Sequence, residues 1–88
     1  MNKASFSTLK QELEDACAFL QAFTLGRPGF TRRDGLAGIR RVKEHCSRME
    51  ELFAGGPETG EAMKAGEVAR AHVVAAQARL ALLPKGDS

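Results

Sequence analysis

The chain has 88 residues, a formal net charge of +2 and 43% hydrophobic residues. That length predicts a single domain, two cysteines are too few for a disulfide framework, and no run approaches the ~18 consecutive apolar residues of a membrane span. Acidic residues stand where a signal peptide needs an apolar core. We therefore expect no export and no membrane contact, and a reducing, cytoplasmic location. The frequent Ala, Gly and Arg residues suggest a small bacterial protein.

The first predicted helix covers about residues 6–25. Its apolar residues recur at spacings of three and four, which is the period of an amphipathic helix. They are Phe6, Leu9, Leu13, Ala16, Leu20 and Phe23, with Cys17 beside them. Ser5, Ser7 or Thr8 is expected to cap its start. Gly26 predicts its end.

The second predicted helix covers about residues 35–54 and follows a loop rich in Gly and Arg. Thr31 or Asp34 is expected to be its N-cap. The predicted apolar stripe consists of Leu36, Ile39, Val42, Cys46, Met49 and Phe53, widened by Leu52. Arg and Glu alternate on the opposite face, which is typical of a solvated, salt-bridged surface. The Gly55–Gly56 pair predicts the end of this helix.

The third predicted helix covers about residues 58–83, and the tail 84–88 is expected to fray. Its core row is built mostly from small residues: Ala62, Gly66 (or Ala65), Ala69, Val73, Ala76, Leu80 and Leu83. The C-terminal half is apolar on most of its circumference, and such a helix is normally buried on more than one side. We therefore predict that a second apolar face contacts a partner; its residues are Met63, Val74, Ala78, Ala81 and Leu82.

Three helices joined by short loops predict an all-α fold, a three-helix up-down-up antiparallel bundle. The alternative is an extended helical hairpin that is completed by dimerisation through the third helix. A core this small favours association in either case, because short chains often gain stability by oligomerising.

Cys17, Cys46 and His72 are the residues with the most reactive side chains, and the predicted bundle brings them within a few turns of each other. Such residues can bind zinc or form a nucleophile–base pair. Both cysteines lie on apolar stripes, however, where a free thiol behaves as a small hydrophobic group. No single helix carries a metal-ligand spacing. We predict no metal, no cofactor and no catalytic residue, and we keep a reversible Cys17–Cys46 disulfide as an alternative.

Basic residues cluster around the start of the second helix: Arg27, Arg32, Arg33, Arg40 and Arg41. Positive charge at a helix start opposes the helix dipole and is therefore unfavourable for the helix. A cluster retained at such a cost indicates an anionic partner, which the free backbone N–H groups of the helix start would also attract. No helix-turn-helix pattern accompanies it, and the pI of about 8.8 is lower than that of most dedicated DNA-binding domains.

These features predict a non-enzymatic protein–protein interaction module of the adaptor, chaperone or regulator type. It would form a homodimer or bind a helical partner through the third helix, and a bundle this small has little room for a small-molecule substrate. The alternative is a nucleic-acid-associated regulator that uses the basic cluster. Binding through phosphates weakens steeply with salt, whereas apolar helix packing does not, so salt dependence separates the two.

Overall fold

The computed structural model describes residues 5–83. Three helices make up 82% of that segment: α1 (Phe6–Thr24), α2 (Arg32–Phe53) and α3 (Thr59–Leu82). No strand occurs between Ser5 and Leu83, which confirms the all-α prediction. The predicted fraying of the tail 84–88 lies outside the described residues.

The start of α2 lies three residues before the predicted one, at Arg32 instead of Gly35. The reason is a capping box at Thr31. The Thr31 hydroxyl accepts a hydrogen bond from the Asp34 N–H (3.3 Å), and the Asp34 carboxylate accepts one from the Thr31 N–H (2.8 Å). Thr31 is therefore the N-cap and Asp34 is the third helical residue. At α1, Ser5 is the N-cap, as one of the alternatives predicted.

Contacts at the two ends of the molecule define the order of the helices. At one end, Phe6 at the start of α1 packs edge-to-face on Phe53 at the end of α2, with ring centroids 5.0 Å apart. At the other end, Arg32 at the start of α2 donates a hydrogen bond to the carbonyl of Leu80 near the end of α3. The helices therefore run up, down and up, as predicted for the bundle, and α3 packs on both of its neighbours instead of extending away.

All three helices contribute to one hydrophobic core, and no polar or charged side chain is buried in the described segment. Its largest fully buried side chains are Phe23, Leu20, Met49 and Val42. The predicted buried rows of α1 and α3 are confirmed, with Phe6 and Leu83 only partly buried at their ends. Each row lies on one face of its helix. Its residues recur every three or four positions, which is the pattern that identifies a buried helix face.

The predicted stripe of α2 is wrong at Leu36 and Leu52, which are 50% and 58% exposed. Gly35 and Gly38 take their place in the core. A Cβ atom on Gly35 would overlap the ring of Phe23, so this ring lies directly on the backbone of α2. Because Gly35 and Gly38 have no side chains, α1 packs closely against α2 here. The neighbouring Leu36 lies outside the core.

Candidate interaction surface

The C-terminal half of α3 presents apolar residues on the side that faces away from the core. Val74 is 64% exposed and Leu82 is 77% exposed; Met63, near the start of α3, is 57% exposed. Ala78 and Ala81, which lie between them, are also exposed. The structure thus leaves all five residues of the predicted partner-contacting face outside the core.

An exposed stripe on the same side of α3 extends this surface toward the N-terminus. It consists of Val68, Ala71, Ala75, Ala78 and Leu82, and is called the outer stripe below. Their spacings are three, four, three and four, the pattern of a coiled-coil seam, and none is charged. Val68, which is 57% exposed and borders the groove between α1 and α3, was not predicted to belong to this face. Its distance of two heptads from Leu82 is the sequence signal that identifies it.

The outer stripe is exposed because a three-helix bundle covers only one side of each helix. α3 uses its opposite side for the core, where small residues such as Ala69 and Ala76 are completely buried. α3 therefore has two apolar sides, and α1 and α2 cover only one of them. Despite this composition, no helix within residues 5–83 is apolar enough over a sufficient length to cross a membrane.

The arginines of the predicted anionic-partner site have different environments. Arg27, Arg33, Arg40 and Arg41 are exposed. Arg32 is half-buried, and its Nη1 donates a hydrogen bond to the Leu80 carbonyl oxygen at 3.1 Å. That carbonyl belongs to the last turn of α3, where the helix dipole is negative. Arg32 therefore stabilises the packing of α3 on α2, and this role accounts for a positive charge at the start of α2.

The start of α2 also carries its own negative charge. The Asp34 carboxylate binds the Thr31 N–H, and the Gly35 N–H donates to the Thr31 carbonyl. An acidic group in the first turn interacts favourably with the helix dipole. It also reduces the attraction that this helix start would have for an anionic partner, so the geometry adds no support to the sequence-based interpretation of the basic cluster.

The two cysteines belong to the same core but line different grooves of the bundle. Cys17 and His72 line a groove of about 220 Å³ between α1 and α3, whereas Cys46 and Arg70 line one of about 250 Å³ between α2 and α3. Within residues 5–83, no group of three His, Cys, Asp or Glu side chains could hold a metal ion. Both thiols are buried and free.

The chemistry of the thiols follows from their burial. Burial, together with smaller effects of the nearby Cys46 and Glu14, raises the pKa of the Cys17 thiol from 9.0 to about 11. Burial also raises the pKa of Cys46, against an opposing effect of the Arg70 guanidinium. A thiol is nucleophilic only as the thiolate, so both are held in an unreactive form near neutral pH.

An ion pair joins α2 and α3 beside the second groove. The Arg70 guanidinium donates to the Glu50 carboxylate at 2.5 Å, and both side chains are partly exposed. Such surface pairs contribute only about 0–1 kcal/mol. The pair lies on the flank of α3 and leaves the outer stripe free of charge.

Comparison with protein-family models, curated proteins and solved structures finds no match to this chain. The interpretation of its function therefore depends on the surfaces described above. Of these, the exposed apolar side of α3 is the feature that the fold itself leaves unexplained.

Proposed function

We propose that the chain is a non-enzymatic protein-interaction module that packs against an apolar helix through the outer face of α3. The outer face is defined as the outer stripe together with Met63, Val74 and Ala81. The observation that carries the proposal is the exposure of Val74 and Leu82 beside a row of exposed alanines. Monomeric soluble proteins rarely expose large contiguous apolar patches, and those that do so often use them for binding.

The shape of the outer face suits a helix better than a loop or a small molecule. The exposed alanines Ala71, Ala75 and Ala78 follow one line along α3, and the exposed Val74 lies beside it. Helix axes approach to about 8 Å when the side chains at the contact are small. Val68 and Leu82 at the two ends of that line would pack beside an incoming helix and limit its position along α3.

The alternative function in nucleic-acid binding receives no such support. One of the five arginines, Arg32, is engaged with Leu80, and Asp34 adds a negative charge beside Arg33. The proposal places the protein in a reducing cytoplasm, which agrees with two buried free thiols. Binding that weakened steeply between low and high salt would favour the basic cluster over the outer face.

The test compares two matched substitutions of exposed leucines. Leu82→Lys introduces a charge at the end of the outer stripe, and Leu52→Lys introduces the same charge on α2, away from it. Both positions lie in the last turn of their helix, where a cation is favourable, and both are more than half exposed. The two variants should therefore fold equally well, as circular dichroism and thermal unfolding can confirm.

The immobilised wild-type protein and each variant are then mixed with an extract of the source cells. We expect proteins that the wild type and Leu52→Lys retain, and Leu82→Lys does not, at both low and high salt. Identical retention by Leu52→Lys and Leu82→Lys, or retention that high salt abolishes for all three, would contradict the proposal.

A further inference from the structure

We propose that the occupant of the outer face is a second copy of the chain, bound antiparallel so that a two-fold axis passes beside Ala75. This inference rests on the proposed function and names the partner of the same surface. A two-fold contact requires a surface that is complementary to itself, because each residue i that contacts j on the partner is matched by j contacting i. The outer stripe has this property.

The side chains of the outer stripe are arranged by size almost symmetrically about Ala75. Val68 and Leu82 lie seven residues before and after it, and Ala71 and Ala78 lie four before and three after. In an antiparallel pair centred on Ala75, the exposed alanines of the two copies meet in the middle, and the two exposed Val74 side chains lie beside them. At each end, Val68 of one copy meets Leu82 of the other.

This arrangement explains the choice of an antiparallel over a parallel pair. A parallel pair would place two valines at one end and two leucines at the other, so the helix axes would separate unequally. The antiparallel pair has one Val68 and one Leu82 at both ends and keeps the axes evenly spaced. It also sets the helix dipoles in opposite directions, which is the more favourable orientation.

The available area is at the lower limit for a specific dimer. Because Val68, Val74 and Leu82 are each more than half exposed, we take the outer face to offer on the order of 500 Å² per protomer, or roughly 1,000 Å² for the pair, which is about the minimum for a biological interface. The contact has no charged residue at its centre, so two copies with a net charge of +2 meet no like charge there. We therefore expect a dimer that forms reversibly at tens of micromolar.

Cysteine cross-linking tests the pairing and its direction together. Ala71→Cys, Ala75→Cys and Ala78→Cys are made in the wild-type chain, whose own two thiols are buried, and Leu52→Cys reports the rate of random collision. Disulfides are formed with a mild oxidant near neutral pH. A disulfide requires Cα atoms about 4.4–6.8 Å apart.

An antiparallel pair about Ala75 makes a distinct prediction for each variant. Ala75→Cys should cross-link to itself at least about tenfold faster than Leu52→Cys, because the two thiols are held together in the complex. Ala71→Cys alone should not exceed the collision rate, because its two copies are offset by about 12 Å along the axis at 1.5 Å per residue. A mixture of Ala71→Cys and Ala78→Cys should cross-link rapidly.

Each other outcome overturns the inference. Rapid self-cross-linking of all three alanine variants would indicate a parallel pair. Cross-linking no faster than that of Leu52→Cys would indicate that a second copy does not occupy the face. If, in that case, the extract experiment still showed proteins retained by Leu52→Lys and not by Leu82→Lys, the proposed function would stand with a different partner. If it showed no such difference, the proposed function and the inferred dimer would both fail.

Discussion

Replacing Arg32 by Ala should destabilise the bundle by about 0.7 kcal/mol, although the residue stands where a cation opposes the dipole of α2. A hydrogen bond from a charged donor contributes about 1.5–3 kcal/mol when buried, and roughly half of that is reasonable for the half-buried Arg32–Leu80 bond. Removing the unfavourable cation from the start of α2 stabilises the helix by about 0.3–0.5 kcal/mol. The difference is a net loss of about 0.7 kcal/mol.

Arg33→Ala is the matched control for this substitution. Arg33 lies in the same first turn, is exposed and adds the same unfavourable charge. Its replacement should leave stability unchanged or slightly raised. In urea unfolding followed by circular dichroism, Arg32→Ala should unfold at lower urea. Thermal unfolding should show a fall in Tm of about 3–6 °C for a chain of this size. Equal shifts for Arg32→Ala and Arg33→Ala would refute the structural role of Arg32.

Two further predictions concern the core. Gly35→Ala should lower stability by about 1–3 kcal/mol in the same assay, because its Cβ would press into the buried ring of Phe23. Gly60→Ala, which meets open space in the first turn of α3, should raise stability by about 0.5–1 kcal/mol; a gain from both would contradict the close packing of α1 on α2. Cys17 and Cys46 should react with a thiol reagent at pH 8 only as fast as the chain unfolds. Because the folded-state pKa of Cys17 is about 11 against 9.0 unfolded, its contribution to stability should be complete below pH 9 and be lost as the pH rises toward 11; rapid labelling of the native protein, or stability that rises over that range, would contradict the burial of this thiol.

The fold was predictable from the sequence where apolar or small residues recur with a helical period. The rows of α1 and α3 have a regular helical period and end at Gly or near Pro, so their buried residues were identified correctly. The prediction failed at Leu36 because hydropathy assigns a leucine to the core and gives no weight to glycine. Gly35 and Gly38 are buried because side chains of α1 pack directly against them. Such a close contact between two helices cannot be inferred from the sequence of either helix alone.

The candidate site was predictable to a similar extent. An apolar residue at most positions of the last half of α3 indicated a second contacting face, and the structure leaves that face exposed. Val68 was missed because it stands among polar residues and its membership depends on a heptad spacing. The role of Arg32 could not be inferred, since its partner Leu80 lies 48 residues away along the chain.

The most direct test of the central claim, that the chain associates through the outer face of α3, is sedimentation equilibrium over a wide range of protein concentration. The wild type and Leu52→Lys should change from monomer to dimer at tens of micromolar, independently of salt, whereas Leu82→Lys should remain a folded monomer throughout. A wild-type monomer at every concentration, or a Leu82→Lys dimer as stable as that of Leu52→Lys, would contradict the claim.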